Sequence, residues 1–205
     1  MAATEQEIFW RGAFGDSYID RNNDPRFVAT DAAFFNRVLN RTRNICSVLE
    51  LGSNIGLNLM AIKQLLPNAQ LSAVEINEKA AAGLKMNLPE VNLHLGSILD
   101  FQPESVWDFV FTKGVLIHIN PEKVHVVYDL VYRCSSHYIM LSEYYNPKPV
   151  EVLYRGYTGK LFKRDFAGEM LDQYPDVSLL DYGFAYHRDP NFPQDDMTWF
   201  LLEKK

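Results

Sequence analysis

Short apolar runs alternate with helix-like segments along residues 45–141. Apolar runs of about four to eight residues between turn residues are typical of buried strands, whereas apolar residues three or four positions apart indicate helices. The pattern predicts strands at 45–51, 71–76, 91–95, 107–111 and 137–141, and helices at 55–66, 78–86 and 121–133, the last with Pro121 in its first turn. This order predicts an α/β fold, a Rossmann-like doubly wound and mostly parallel sheet.

The C-terminal third breaks this rhythm. Residues 143–164 are rich in Tyr, Pro and Gly and lack an apolar period, so we expect a substrate-facing insertion there. A helix is then predicted at 165–173 and strands at 177–186 and 196–203. The two closing strands bring the sheet to seven and suit an antiparallel C-terminal strand at its edge.

Composition narrows the class of protein. The chain has 205 residues, of which 47% are hydrophobic, and a formal net charge of -6. One domain covering 1–205 is expected, and a nucleic-acid partner is disfavoured because no broad basic face is present. Cys46 and Cys134 stand outside any metal-binding spacing, so we expect reduced structural thiols and no metal. Without a signal-peptide pattern or a membrane-length apolar run, the expected location is the cytoplasm.

The most specific motif is the glycine-bearing turn that follows the first predicted strand. Gly52 and Gly56 allow a ligand to approach the backbone closely, beyond the carboxyl ends of the strands. Their spacing is not that of dinucleotide-binding loops, which makes pyrophosphate binding the weaker interpretation. Glu75 closes the second strand 19 residues after Gly56. An acid at that place accepts hydrogen bonds from both hydroxyls of a ribose.

This order of motifs over residues 45–141 resembles the class I S-adenosylmethionine-dependent methyltransferases. The resemblance implies that S-adenosylmethionine is the cofactor, with the glycine loop beneath it, the acid on its ribose and the residues after the third strand beside its adenine. The positions that correspond, together with two neighbours, are Glu50, Gly52, Asn54, Gly56, Glu75, Ile76, Ser97, Ile98 and Lys113. Two of them depart from the family pattern, Asn54 where a glycine is usual and Ser97 where an aspartate is usual. Because Asn tolerates positive φ, we expect that conformation at Asn54.

The N-terminal segment 1–42 is expected to be helical or to form a lid. Residues 9–22 combine aromatic, glycine and charged residues without a helical or strand period. In the lid hypothesis Trp10 or Tyr18 meets the sulfonium of the cofactor and Arg21 its carboxylate. The alternative is that the aromatic residues only anchor the terminus on the core. This stretch, residues 114–118 and residues 154–164 together resemble the pseudaminic acid biosynthesis-associated methylases over nearly the whole chain.

Several polar residues follow the fourth and fifth strands at the edge where the cofactor is expected. His118 suits a general base, although a structural role is the alternative. Glu143, Tyr144 and Asn146 suit orientation of an amine or hydroxyl acceptor. Tyr157 belongs to residues 154–164, which gather four cations and two phenols. That group favours an anionic substrate or the carboxylate of the cofactor, or else is a solvated loop.

The resulting hypothesis is methyl transfer from S-adenosylmethionine to a small polar metabolite, sugar- or amino-acid-derived. A second enzyme class of this fold cyclises the cofactor itself, as azetidine-2-carboxylate synthases do, and releases methylthioadenosine. The density of aromatic residues, 11 Tyr, 13 Phe and 3 Trp, would suit such a closed cage. The third alternative is a cofactor-binding regulator without catalysis. The expected partner is a small molecule, with no nucleic acid and no membrane, and the chain is expected to be a monomer or a homodimer.

Overall fold

A seven-stranded sheet organises the chain in the computed structural model, which describes residues 2–205. The strands are β1 (Ser47–Leu51), β2 (Gln70–Glu75), β3 (Asn92–Leu95), β4 (Trp107–Lys113), β5 (Ser135–Glu143), β6 (Val150–Glu151), β7 (Phe162–Lys163), β8 (Val177–Ala185) and β9 (Met197–Lys204). Their order in the sheet is β3-β2-β1-β4-β5-β9-β8, and β6 pairs with β7 in a separate hairpin. Only β9 runs against the other strands of the sheet in the described chain. The predicted mostly parallel sheet with an antiparallel C-terminal strand is confirmed. The expected edge position of that strand is wrong, because β9 lies between β5 and β8 and β8 forms the edge.

Helices cover both faces of the sheet, as the alternating pattern predicts. They are α1 (Glu5–Arg11), α2 (Ala13–Arg21), α3 (Arg26–Leu39), α4 (Leu57–Leu65), α5 (Glu78–Asn87), α6 (Val124–Cys134) and α7 (Phe166–Gln173). Side chains alternate across β4, so that Phe109 and Phe111 pack with α3 and α4 while Val110 packs with α6 and α7. Two apolar cores therefore clamp the sheet and hold the carboxyl ends of its strands in place.

The N-terminal segment differs from the sequence expectation. Residues 9–22 were predicted to lack a helical period, but all of them except Gly12 and Asn22 lie in α1 and α2. Thr4 and Glu7 form a capping box that satisfies the free N–H groups at the start of α1. Aromatic residues on several sides of these short helices contact different neighbours, so no single apolar stripe marks them in the sequence. Met1, the first residue of the predicted 1–42 segment, lies outside the described residues.

Three smaller expectations are corrected. Helix α6 begins at Val124, and Pro121 lies in the preceding turn, where the Asn120 side chain accepts the N–H of Glu122. Glu143 is the last residue of β5 and not the start of the insertion. Cys134 is buried, but Cys46 is exposed, and both are free thiols.

No helix among residues 2–205 is long and apolar enough to cross a membrane.

Candidate functional site

A cavity of about 630 Å³ opens at the carboxyl edge of the parallel strands. Its volume lies within the range of about 300–1,000 Å³ that is typical of small-molecule sites. The ends of β1, β2 and β4 form its floor, while α1, α2 and the loop before β9 cover it. The predicted site residues that line it are Trp10, Tyr18, Gly52, Asn54, Glu75, Ile76, Ser97, Ile98, Lys113, His118 and Tyr144. The fold thus assembles in one place residues that are far apart in the sequence.

The turn after β1 has the strained backbone expected of a ligand-binding loop. Gly52, Asn54 and Gly56 have φ angles of 80°, 48° and 83°. The predicted positive φ at Asn54 is confirmed. A Cβ atom on Gly52 would lie 2.7 Å from Cγ2 of Val115, so packing as well as φ requires glycine there. Gly56 caps α4 and does not line the cavity, which makes its role one of shaping the turn.

Glu75 stands opposite this loop at the end of β2. The Asn54 N–H donates to its Oε2 (2.7 Å) and the Asn77 N–H to its Oε1 (2.8 Å). Burial raises the pKa of Glu75, while backbone N–H groups of Asn77, Asn54 and Ile76 oppose the rise. An ionised carboxylate offers about four acceptor positions. Each oxygen of Glu75 therefore keeps capacity for a further donor, and the residue fits two hydroxyls held side by side.

Ser97 and Ile98 lie after β3, both buried and both in the cavity lining. Ser97 Oγ accepts the Leu99 N–H at 3.1 Å. Burial raises the pKa of Glu7, but hydrogen bonds from Ser97 and Thr4 outweigh that effect and lower it. Ser97 therefore lies close to Glu7 of α1, a proximity that the sequence alone did not indicate.

Lys113, at the end of β4, anchors a polar network on the opposite wall. Its Nζ lies 2.8 Å from Asp31 Oδ1 and 3.2 Å from Asn58 Oδ1. Asn58 donates in turn to Glu50 Oε1 at 2.6 Å, and Gln194 donates to Asp31 Oδ1 at 3.0 Å. Glu50 is buried outside the cavity lining, and burial raises its pKa well above the usual value. Its geometry is that of a support for Asn58, one step removed from any ligand.

His118 lies in the cavity wall between the rings of Trp10 and Tyr154, with centroid distances of 4.6 and 4.9 Å. Its Nδ1 lies 2.6 Å from the carbonyl oxygen of Lys160, which only accepts, so the proton resides on Nδ1. Burial lowers the pKa of His118 to about 4, although the Lys160 carbonyl opposes the shift. The ring is therefore neutral near pH 7 with a free lone pair on Nε2, and it is a weaker base than the sequence interpretation assumed.

Glu143 does not reach the cavity, contrary to expectation. Its Oε1 accepts the Thr112 hydroxyl (2.9 Å) and the N–H groups of Val115 (3.2 Å) and Leu116 (3.1 Å), and its Oε2 accepts the N–H of Ile117 (3.3 Å). These donors open the 3₁₀ turn that carries His118. Both carboxylate oxygens are engaged, so Glu143 holds this turn on the end of β5 and is not free to orient an acceptor.

Arg21, Asn146 and Tyr157 also lie outside the cavity lining. Arg21 is exposed on α2, where it bonds to Ser17 Oγ at 3.0 Å. The Asn146 amide donates to the Lys148 carbonyl, and the Tyr157 ring is 49% exposed against Phe9 on the outer side of α1. All three residues were predicted to belong to the site from composition or chain position. Composition and chain position do not determine the direction in which a side chain points.

The cations of residues 154–164 are dispersed by the fold. Lys160 Nζ lies 3.3 Å from Glu5 and Arg164 Nε lies 2.7 Å from Glu169, while Lys163 lies over the Tyr144 ring. Only Arg155 of this group is in the described cavity lining, beside Tyr154. Most cations of the predicted anion-binding cluster therefore interact with other side chains of the protein.

Several lining residues were missed in the sequence. Examples are Gln6, Asp31, Asn58, Asn77, Gln194 and Asp195. Asp31 carried a readable signal, because it shares the apolar face of α3 with Phe34, Phe35 and Val38. Asn58 and Gln194 carried no such signal, since isolated amides in a helix and in a loop are ordinary surface residues.

Three buried polar atoms in residues that line the cavity lack a hydrogen-bond partner within the described chain. They are Gln6 Oε1, Ser53 Oγ and Gln194 Oε1. The amide orientations follow from the network, because Gln6 Nε2 donates to the Gly159 carbonyl and Gln194 Nε2 to Asp31. Buried polar atoms are nearly always bonded in folded proteins. These three atoms are almost wholly covered by the protein, so they lie behind the cavity surface and present no accessible area to a ligand.

Comparison with known proteins gives no match to a family model and no match among curated proteins. Solved structures do match over nearly the whole chain. Magnesium protoporphyrin IX methyltransferase from Synechocystis PCC 6803, solved with bound S-adenosylhomocysteine, has a TM-score of 0.71 at 13% identity and covers 97% of this chain and 98% of its own.

Two further structures show the same similarity. The 1,6-didemethyltoxoflavin-N1-methyltransferase of Burkholderia thailandensis has a TM-score of 0.73 at 16% identity, covering 100% of this chain and 92% of its own. An amino pentose methyltransferase from Micromonospora echinaspora, solved with bound S-adenosylmethionine, has a TM-score of 0.67 at 12% identity, covering 94% and 96%. At such low identity the likeness concerns architecture, and it leads to one conclusion: this chain has the class I methyltransferase fold.

Proposed function

We propose that the protein binds S-adenosylmethionine and transfers its methyl group to a small polar metabolite. The observation that carries the proposal is the position of Glu75 opposite the Gly52–Asn54 turn, in one cavity at the carboxyl edge of a sheet with this fold. Solved neighbours of the same architecture contain S-adenosylmethionine or S-adenosylhomocysteine. When bound, the cofactor supplies a methyl group on a positively charged sulfur, open to displacement in line with the breaking bond.

The cavity residues divide among the parts of that molecule. Glu75 takes the two ribose hydroxyls with its remaining acceptor capacity, and Ile98 packs on the adenine beside Ser97. Lys113 replaces Arg21 as the cation for the cofactor carboxylate, since Lys113 lines the cavity and Arg21 does not. Trp10 and Tyr18, held over the cavity by α1 and α2, present aromatic faces to the sulfonium.

The acceptor side comprises His118 and Tyr144. Because His118 is neutral, with its Nδ1–H donating to Lys160, its Nε2 accepts a hydrogen bond from the attacking group and aligns it. Catalysis in this scheme consists mainly of alignment and of water exclusion by α1 and α2. A sugar-derived acceptor, in keeping with the resemblance to the pseudaminic acid-associated methylases, belongs to the same proposal.

Product analysis tests this function directly. The protein is incubated with S-adenosylmethionine, alone and with a metabolite extract, and the products are identified by mass spectrometry. S-adenosylhomocysteine that accumulates only with an acceptor supports methyl transfer. Methylthioadenosine with azetidine carboxylate, formed from the cofactor alone, would establish cyclisation in its place. If calorimetry shows cofactor binding but no product forms, the protein is a cofactor-binding regulator without catalytic activity.

A further inference from the structure

One buried side chain connects the floor of the cavity to the helices above it. Asn77 follows Glu75 by two residues at the end of β2, and it is only 3% exposed. Its amide nitrogen Nδ2 lies 3.2 Å from the carbonyl oxygen of Trp10, 3.3 Å from that of Arg11 and 2.9 Å from Asp16 Oδ1. Trp10 and Arg11 end α1, and Asp16 lies in the first turn of α2. Asn77 therefore fastens the junction between these two helices, which together form the helical cover of the cavity.

The remaining polar groups of Asn77 are engaged as well. Its Oδ1 accepts the Ala80 N–H at 2.9 Å and so caps α5, while its main-chain N–H donates to Glu75 Oε1 at 2.8 Å. A side-chain amide has two N–H donors, and three acceptors of the cover already share them. Asn77 therefore lines the cavity with no donor left for a ligand, and its task there is to hold other residues in place.

The helix junction is packed tightly against this amide. A Cβ atom on Gly15 would lie 1.9 Å from the carbonyl oxygen of Trp10 and 2.9 Å from Asn77 Nδ2. Only glycine fits at such a close approach of two backbone segments. The position of α2 relative to α1 is therefore set at the point where Asn77 binds both helices.

The residue that this junction places over the cavity is Trp10. The centroid of its ring lies 4.6 Å from that of His118 and 5.2 Å from that of Tyr18, and all three side chains line the cavity. Glu75, the acid proposed to bind the ribose, is at the other end of the connection. A shift of the junction would move Trp10 relative to both His118 and Glu75. Asn77 thus stands between the proposed ribose site and the aromatic residues proposed for the sulfonium.

We propose that Asn77 is a positioning residue that fastens the helical cover to the ribose acid and thereby holds Trp10 over the bound cofactor. This inference rests on the proposed cofactor binding. A ligand on Glu75 and a closed cover both require the same arrangement of residues 75–77, so each stabilises the other. Without the Asn77 amide the cover is closed for only a fraction of the time, and the affinity for the cofactor falls by that fraction.

Asn77→Ser removes the connection and keeps the cap. Serine is a preferred N-cap residue, and the main-chain N–H to Glu75 is unchanged, but the short side chain does not reach the helix junction. The affinity for S-adenosylhomocysteine, measured by calorimetry, is expected to fall about three- to thirtyfold, the range for one or two neutral hydrogen bonds. Lys79→Ala is the matched control. Lys79 also joins α5 to α2, through an exposed ion pair with Asp20 at 3.3 Å, and this variant is expected to bind as wild type does.

Hydrogen exchange distinguishes positioning from capping. Saturating S-adenosylhomocysteine is expected to protect amides 9–22 in wild type and in Lys79→Ala, and to protect them far less in Asn77→Ser. The amides of α5 and β4 are expected to keep their protection in every variant. Gly15→Ala disturbs the same junction while leaving Asn77 intact, and it is expected to reproduce the loss of protection in the cover.

A double-variant comparison tests whether Asn77 acts through Trp10. The affinity lost in Asn77→Ser is expected to be smaller in a Trp10→Ala background, because the indole that the junction positions is then absent. Equal losses in the two backgrounds would overturn the proposal. So would wild-type affinity and full protection of amides 9–22 in Asn77→Ser or in Gly15→Ala, or a loss of protection in Asn77→Ser that is confined to α5. Failure of S-adenosylhomocysteine to bind the wild-type protein would instead contradict the proposed function itself.

Discussion

Glu75 shows at the scale of one residue how a turn and a ligand site are built together. Its two oxygens accept the N–H groups of Asn54 and Asn77 and still keep acceptor capacity toward the cavity. In the proposed function, the carboxylate that accepts the Asn54 N–H also binds the ribose hydroxyls. Because both tasks depend on one side chain, its removal affects cofactor binding more than the loss of an ordinary surface acid would.

We expect Glu75→Ala to weaken S-adenosylmethionine binding by about 1.5–3 kcal/mol, the range for hydrogen bonds to a charged group. Calorimetry at a temperature where the variant is folded measures the effect. Glu78→Ala, at an exposed position three residues later, is the matched control and is expected to bind as wild type does. Unchanged affinity in a folded Glu75→Ala protein would remove Glu75 from the cofactor site.

At the scale of elements, α1 and α2 are tied to the hairpin insertion and to the cavity at once. Gln6 donates to the Gly159 carbonyl at 2.8 Å, and Phe9 packs against Tyr157 with ring centroids 5.0 Å apart. Trp10 and Tyr18 point into the cavity lining from the same two helices. The N-terminal helices therefore bridge two parts of the chain more than a hundred residues apart in sequence, with few contacts of their own to the central sheet.

This arrangement predicts that α1 and α2 respond to the cofactor as a cover. Amides 9–22 are expected to gain hydrogen-exchange protection with saturating S-adenosylhomocysteine, because the ligand adds contacts beneath them. Amides of the central strand β4 serve as the internal reference. Equal protection with and without ligand, together with full affinity and turnover after deletion of residues 1–20, would leave these helices as packing elements only.

At the scale of the whole molecule, buried acids make folding stability depend on pH. Burial raises the pKa of Glu143 from 4.5 to about 7, although the N–H groups of Leu116 and Val115 oppose the shift. The folded protein therefore binds more protons than the unfolded chain between these two values. Consequently the free energy of unfolding falls as pH rises through this window, and it levels off above about pH 7.

Glu143→Gln is expected to lose this component of the pH dependence. The wild-type contribution is about 1.4 kcal/mol per pH unit while the window lasts. Urea unfolding from pH 5 to pH 8 measures the slope for wild type, Glu143→Gln and the exposed control Glu104→Gln. The same slope in Glu143→Gln as in wild type would show that Glu143 ionises normally in the fold. Burial of Glu50 acts in the same direction and remains in every variant.

Sequence patterns alone were sufficient to predict the central sheet and the end of the cavity that is proposed to bind the nucleoside. Apolar runs encode strands that are buried on both faces, and the order of strand and helix specifies right-handed parallel crossings, so β1 to β5 and α4 to α5 were predictable. The Gly52 turn, the positive φ at Asn54 and the position of Glu75 were predictable too. The Gly52 turn and the acid at the end of the second strand follow from local sequence patterns, whereas the positive φ at Asn54 was expected because the family that the chain resembles has glycine there.

Which polar side chains meet in the cavity depends on long-range packing of the chain. His118 and Glu143 both lie near the carboxyl ends of neighbouring strands. The Glu143 carboxylate accepts backbone N–H groups, whereas His118 lines the cavity. Arg21 and Lys160 were predicted to bind an anionic ligand group. In the structure Arg21 is exposed on α2 and Lys160 forms an ion pair with Glu5. Asp31 comes from α3, whereas Gln194 and Asp195 come from the loop before β9. Their convergence depends on side-chain direction and on long-range packing, neither of which a local pattern of residues records.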